Sequence, residues 1–376
     1  MRDPADIRAA TEALREVGRR ARVYMSMPVI EGVTPKSLLE SPHARVTEEP
    51  GGYRRVDGIF RLDEVGISPM DHGCLYGDGA FEGILIKNRS IFLYREHMER
   101  LDRSLDSIAI ELPMDRLSFT RRLLETARAA NLPEGNGYIR LVVTRGMGDL
   151  GINPRKCVSP TVYCIVSTIG LYSRELYRKG IRLGLTRHIR RPDASILDPN
   201  IKSLNYLNNV LALLEGTRGQ DLVETLVLTK EGFVAEATVD NLFLVNRHAG
   251  WENDPSKVEV LTPSSAYCLE GITRESVLKL AQKRGYKVAA REDLLPIDLV
   301  GPNKECFITG TGAGIMPINS IENVDVGNGM PGPVTKWLIE DFEEMVGDPA
   351  CGLSLDVPDN ALAEVLTNGV ATKAGR

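Results

Sequence analysis

The 376-residue chain has six cysteines with no Cys-x-x-Cys pair, and its five histidines are dispersed. Those spacings offer no zinc site. So few thiols over this length do not make a disulfide scaffold, and a reducing cytoplasm is the expected compartment. No apolar run approaches the roughly 20 residues needed to cross a bilayer. The opening Met1-Arg-Asp-Pro-Ala-Asp6 lacks the apolar centre of a signal peptide, so neither export nor membrane insertion is expected. Basic residues show no excess, with 46 Lys and Arg against 51 Asp and Glu for a net charge of −5. That balance excludes a chain organised around a nucleic-acid backbone or an anionic membrane. Walker loops and Gly-x-Ser-x-Gly elbows are missing as well. Gly310-Thr-Gly-Ala-Gly314 has isoleucine where a dinucleotide loop needs its last glycine, and Gly77–Gly83 is one residue too long for that pattern.

What is present is enough apolar mass, 43% of the residues, for a sizeable core, in a length that suits about two domains. Asp3-Pro4 reads as a cap and first helical residue, and Ile7, Ala10, Leu14, Val17 and Ala21 form one apolar stripe behind it. This amphipathic helix needs a surface to lie on. Residues 27–52, rich in Pro, Gly, Ser and Glu, read as a linker, so that 1–52 forms a helix and arm. A small α/β domain is expected over 53–170, with strands at Tyr53–Leu62, Gly83–Ile86, Ile91–Tyr94, Tyr138–Arg145 and Thr161–Ile169. Helices are expected there near Arg95–Ala109 and Met114–Asn131. Residues 171–180 read as a connection to a larger domain over 181–346. That domain should hold a strand from Ile181, a Glu224–Glu236 hairpin, and strands at Asn241–Asn246 and Glu305–Thr309. Its helices are expected at Ser203–Thr217, Ile272–Arg284 and Val334–Met345. The tail 347–376 has no sustained period and reads as loosely ordered. Mixing without strict β-α alternation predicts a two-domain α+β architecture.

Lys202 follows Asp198-Pro199 and sits at the edge of the expected helix carrying Leu204, Leu207, Leu211 and Leu214. An amine entering apolar surroundings can be desolvated and made nucleophilic towards an aldehyde. A phosphate-bearing aldehyde would be served by Gly271-Ile272-Thr273 at a helix start, by Arg100, and by a carboxylate such as Glu236 to hold a proton on a pyridine nitrogen. Each signal is weak alone; their order along the chain carries the weight.

The sequence resembles the fold-type IV pyridoxal-phosphate enzymes and, within them, the branched-chain aminotransferases. The resemblance spans about residues 50–345. It rests on Asp71-His-Gly-Cys-Leu-Tyr-Gly-Asp-Gly-Ala-Phe-Glu-Gly83, Glu96-His-Met-Glu-Arg-Leu101, Tyr138-Ile-Arg140 and Ile201-Lys-Ser-Leu-Asn-Tyr-Leu207. It continues through Ala235-Glu236, Asp240-Asn241, Leu269–Arg274, Thr309–Gly312 and Gly332–Lys336. The resemblance implies a two-domain fold with pyridoxal 5'-phosphate bound in the larger one. Lys202 would be the Schiff-base lysine and the acid–base, and Glu236 the partner of the pyridine nitrogen. Tyr206 would bond the phenolic oxygen, and Arg100, Ile272, Thr273 and Thr311 would cradle the phosphate. Tyr138 with Thr311 and Gly312 would hold the substrate carboxylate, while Phe81, Arg140 and Tyr76 would line the side-chain pocket. Tyr76 would reach in from a second subunit, implying a homodimer or a higher homo-oligomer.

The implied reaction moves the amino group of a branched-chain L-amino acid to an oxo acid, 2-oxoglutarate. Apolar walls suit the aliphatic side chain, and Arg140 can meet a second carboxylate. Leu85 stands where such enzymes usually carry a basic residue. Together with Gly314-Ile-Met-Pro-Ile318 it points to the alternative, an (R)-amine or D-amino acid transaminase. A lyase of the aminodeoxychorismate type shares the fold, but Ser203 and Tyr206 replace the histidine and arginine expected near its lysine.

Overall fold

The computed structural model describes residues 4–170 and 172–368. The expected cap Asp3, Leu171 in the expected connection, and residues 369–376 of the tail lie outside them. Two compact units emerge. The first contains the chain up to Ile169, together with Ser203–Asn205 and the segment from Pro349; the second holds Gly170–Lys202 and Tyr206–Asp348.

In chain order the first unit opens with α1 (Pro4–Arg20), β1 (Arg22–Val29), α2 (Lys36–Leu39), β2 (Arg45–Glu49) and β3 (Tyr53–Arg61). Next come α3 (His72–Tyr76), β4 (Gly79–Lys87), β5 (Ser90–Phe92), α4 (Tyr94–Ser107) and α5 (Arg116–Ala129). β6 (Gly137–Thr144) and β7 (Thr161–Ser167) complete this run. The second unit begins with α6 (Arg174–Lys179), β8 (Ile181–Arg190), α7 (Leu207–Gly216), β9 (Glu224–Leu228) and β10 (Val234–Ala237). Then follow β11 (Asn241–Arg247), β12 (Val258–Pro263), α8 (Ile272–Lys283) and β13 (Lys287–Arg291). It ends with β14 (Lys304–Gly310), β15 (Gly314–Ile321), β16 (Val324–Asp325) and α9 (Pro333–Gly347). The chain returns to the first unit as β17 (Gly352–Ser354) and α10 (Leu362–Asn368).

The first unit is built on an eight-stranded antiparallel sheet ordered β17-β5-β4-β6-β7-β1-β3-β2. Helices α4 and α5 bury Met98, Leu101, Leu105, Phe119 and Leu123 in one core with Ile84, Ile139 and Leu141 from the sheet. The second sheet runs β10-β9-β8-β15-β14-β11-β12-β13 and is mixed, since β8 pairs in parallel with β9 and with β15. The α+β class read from the sequence holds.

Three expectations are corrected. Residues 27–52 are not a linker: β1 is an interior strand between β3 and β7, with Met25 and Met27 buried, and β2 pairs with β3. Proline is tolerated there because β7 pairs only with Arg22–Ser26, so Pro28 lies beyond the doubly paired stretch. The tail is not loose over its described part. Leu353, Leu355 and Leu362 are buried, β17 extends the sheet at β5, and Arg128 donates to the carbonyls of Leu355 and Val357, both at 2.6 Å. The helix after Lys202 starts at Leu207, not Ser203. Ser203 forms a β-bridge with Ala80, and Leu204 N–H donates to Gly79 C=O at 3.0 Å, which holds the backbone extended. By contrast α1 forms as expected, yet only the end of its stripe is covered: Ala21 is buried and Val17 half-buried, while Ile7, Ala10 and Leu14 stay exposed.

Gly332-Pro-Val-Thr acquires a structural purpose. Glu305 on β14 is buried and accepts from the Thr335 N–H and hydroxyl, both at 2.8 Å, and from Val334 N–H at 3.3 Å. A carboxylate from a distant strand thus caps α9, whose own N-cap Gly332 supplies no side chain. A Cβ at Gly332 would lie 2.0 Å from this carboxylate, so only glycine fits. Glu305→Ala is expected to cost about 1–2 kcal/mol, the range for losing a helix cap, read from the denaturant midpoint. An unchanged midpoint would show that the cap is idle.

Candidate active site

The candidate residues fall on both units. In the first, β4 and β6 pair with Gly83 opposite Arg140 and Leu85 opposite Tyr138. Strand alternation puts Phe81, Gly83 and Leu85 on one face. The Arg140 guanidinium lies over the Phe81 ring at 4.7 Å and beside the Tyr138 ring at 5.8 Å. Gly83 is the clearance for Tyr138, because a Cβ there would stand 1.8 Å from the tyrosine hydroxyl. Phe81, Tyr138 and Arg140 are therefore brought together. Tyr76 sits on the short α3, 37% exposed, with its hydroxyl donating to the Leu150 carbonyl.

Glu82 points to the other face of β4, into the core beneath α4. Its carboxylate takes a bidentate pair from Arg100, Nε and Nη2 each at 2.8 Å, and a third contact from His97 Nδ1 at 2.8 Å. Burial works against charge on Glu82, but Arg100 and then His97 outweigh it and hold the carboxyl far below the usual carboxylate range. The fork foreseen for a phosphate is thus made to Glu82. The sequence showed Arg100 but not this clamp, because Glu82 looked like part of a glycine-rich turn.

The second unit collects Lys202, Tyr206, Glu236, Ile272, Thr273, Thr311 and Gly312. Lys202 is half-buried in extended chain, and Tyr206 is the N-cap of α7. Glu236, in β10, is buried; its Oε1 meets Arg191 Nη2 at 2.8 Å and its Oε2 accepts from Asn241 Nδ2 at 3.3 Å. Burial nevertheless raises the Glu236 carboxyl, with Arg191 and Lys202 pulling it down. α8 starts at Ile272 with no side chain among the described residues capping it, leaving the first backbone N–H groups available to an anion. Thr311 and Gly312 lie in the turn joining antiparallel β14 and β15, a hairpin and not a strand-to-helix phosphate loop.

Two asparagines tie these parts together. Asn200, two residues before Lys202, donates to Ser265 C=O at 3.0 Å and accepts from Glu270 N–H at 3.1 Å, anchoring the segment that leads into α8. Asn241 donates to Leu269 C=O at 2.9 Å as well as to Glu236. It also sets the residue at the head of α8, since a Cβ on Gly271 would come 2.0 Å from its Oδ1. Lys202, Glu236 and the α8 N-terminus are therefore held in one network. Arg191 went unread in the sequence: an arginine beside a proline after a strand resembles any surface turn.

Comparisons with known proteins bear on the family of the chain. The family described as Amino-transferase class IV matches residues 79–321. A provisionally named branched-chain-amino-acid aminotransferase of Methanocaldococcus jannaschii is 41% identical over 282 residues, 74% of this chain and 91% of that one. The aminodeoxychorismate lyase of Bacillus subtilis is 31% identical over 268 residues, 70% of this chain and 84% of its own. Among solved structures, the T.th. branched-chain amino acid aminotransferase with pyridoxamine 5'-phosphate has a TM-score of 0.68 at 30% identity, covering 81% of this chain and 94% of that one. With its fold and these relatives in agreement, the chain belongs to the class IV aminotransferases and is an enzyme of that family.

Proposed function

We propose that the enzyme transfers the amino group of a branched-chain L-amino acid to 2-oxoglutarate, using pyridoxal 5'-phosphate joined to the Lys202 Nζ. The single observation that carries the reading is the network in which Asn200 and Asn241 hold Lys202, Glu236 and the uncapped start of α8 together. The residues present fit the cofactor. A phosphate dianion suits the N–H groups of Ile272 and Thr273, and a ring N–H bearing positive charge suits a buried Glu236 whose carboxyl is pushed up by burial. When bound, the cofactor supplies an electron-withdrawing ring that acidifies the substrate α-carbon.

The chain's own groups do the rest. The Lys202 amine would be the group that takes the proton from the substrate α-carbon and hands one back. Glu236, oriented by Arg191 and Asn241, keeps the ring nitrogen protonated. Tyr206 holds the phenolic oxygen, Thr311 with Gly312 and Tyr138 hold the substrate carboxylate, and Phe81 provides an apolar wall. Arg140, fixed over Phe81, is the cation for the second carboxylate of the acceptor. Tyr76 serves the site of a second copy, in a homodimer.

One observation favours the second reading, transfer from an (R)-amine or D-amino acid: Leu85, half-buried on the same strand face as Phe81 and Gly83, is apolar where a cation would help bind a dicarboxylate. A single-turnover panel with L-leucine, D-alanine and (R)-1-phenylethylamine, followed by cofactor absorbance, separates the two. The expected result is fast conversion by L-leucine. No spectral change with L-leucine, L-isoleucine or L-valine would remove the first reading.

A further inference from the structure

Three buried carboxyls share the second unit's site, and they are not equally served. Glu224 on β9 accepts the N–H groups of Thr225 and Thr238 and the Thr238 hydroxyl through Oε1. Glu236 has Arg191 and Asn241. Asp240 is buried at the end of the β10–β11 turn, closed by Ala237 N–H donating to Asp240 C=O at 2.9 Å. Its Oδ2 is sealed from solvent and has no hydrogen-bond partner among the described residues. Its Oδ1 lies against Gly310, where a Cβ would approach to 1.8 Å, so the carboxyl is wedged and cannot swing towards that strand. Asp240 is thus the member of the trio that gains least from being ionised.

We propose that Asp240 is a positioning residue for the Lys202–Glu236 pair: it carries the proton that lets Glu236 beside it stay ionised. The proposal rests on the roles given above to Lys202 and Glu236. The charged and titratable groups acting on Asp240 come from every side. They are Glu224 on β9, Glu236 on β10, Lys202 in the chain ahead of α7, Tyr172 just before α6 and Tyr177 on it. Burial first, then the Glu224 and Glu236 charges, push the Asp240 carboxyl up to about 7, with Lys202 opposing. A second negative charge beside Glu236 would draw a proton onto it and weaken its hold on a ring N–H. Asp240 accepts that proton instead. As pH rises through about 7, the proton leaves and the site gains a charge.

Asp240→Asn, isosteric and always neutral, tests this in the holoenzyme. In the wild type, kcat/KM is expected to fall about tenfold from its plateau by about pH 8, because the protonated form is the working one. The variant should stay within about threefold of wild type at about pH 6 and lack that limb. Stability follows the same sign. A carboxyl raised in the folded state favours folding at low pH, and its contribution is lost as pH rises from about 4 through the folded value. The wild type should therefore lose more melting temperature than the variant over that window. A purely structural Asp240 would lower stability equally at every pH and leave the profile's shape alone, and that result overturns the proposal.

Should the variant fail to fold, the wild type with 13C-labelled aspartate decides. An infrared carboxylic-acid band that carries the isotope shift and fades near pH 7 supports the proposal; no such band overturns it. Neither the melting nor the infrared measurement depends on Lys202 binding a cofactor. Borohydride fixation of the cofactor on the Lys202 peptide tests that separate reading.

Discussion

Lys202→Ala is expected to lower turnover by at least about 10³-fold, since the variant loses the group proposed to move the proton at the α-carbon. Cofactor should still bind, more weakly, because the α8 N-terminus and Glu236 do not depend on the lysine side chain. The structural basis is the position of Lys202: extended chain, half-buried, its segment pinned by Asn200 to the loop that opens α8. Starting α7 at Leu207 leaves four residues between the lysine and the helix, instead of placing the lysine at the helix edge. Single-turnover absorbance with L-leucine and equilibrium dialysis of the cofactor measure the two effects separately. Retention of more than about a tenth of wild-type turnover would refute the assignment, since the proton transfer would then belong to another group.

The second large effect is structural. Glu82→Ala is expected to destabilise the protein by about 3–5 kcal/mol, a large part of the roughly 5–15 kcal/mol available to a domain. The side chains of Glu82 and His97 are fully buried and that of Arg100 is 4% exposed, so truncation leaves a guanidinium in the core without its carboxylate. Replacing Glu82 and Arg100 together with apolar residues should cost much less than Glu82→Ala alone, because the charge to be desolvated disappears with its partner. Denaturant midpoints of the two single variants and the double variant form the cycle. A loss under about 1 kcal/mol for Glu82→Ala would mean that water reaches Arg100. The pH sign is opposite to that of Asp240. The Glu82 carboxyl is depressed in the folded state, so its contribution is present above the ordinary carboxylate range and is lost only as pH falls towards the depressed value.

Glu82 links fold to site. Phe81 and Gly83 present a wall with Arg140 and Tyr138, while the residue between them locks α4 through Arg100. The same alternation that fits a strand to two faces gives one face to the candidate site and the other to the core.

Much of this was legible without coordinates. The helices at Arg95–Ala109, Met114–Asn131 and Ile272–Arg284 appear within a few residues of their expected ends, because their apolar periods are strong and local. The family likeness also came from short linear motifs, each of which includes residues that have to sit close in sequence. Missed elements share a different character. β1 contains a proline, and its last three residues fall in the stretch 27–52 that reads as a linker; it is a strand because β3 and β7 pair with its two edges. β17 is three residues long and orders because β5 offers an unpaired edge and Arg128 binds the carbonyls after it.

Residue types and local order therefore determined the family, the candidate lysine and carboxylate, and most of the helices. Tertiary structure alone decided which partners each charge has. Arg191 serves Glu236, Arg100 is clamped by Glu82, and Asp240 is left with an oxygen that none of the described residues bonds. The reason is physical: periodicity reports which face of an element is buried. The energy of a buried charge depends on groups brought from distant parts of the chain, and no local pattern encodes them.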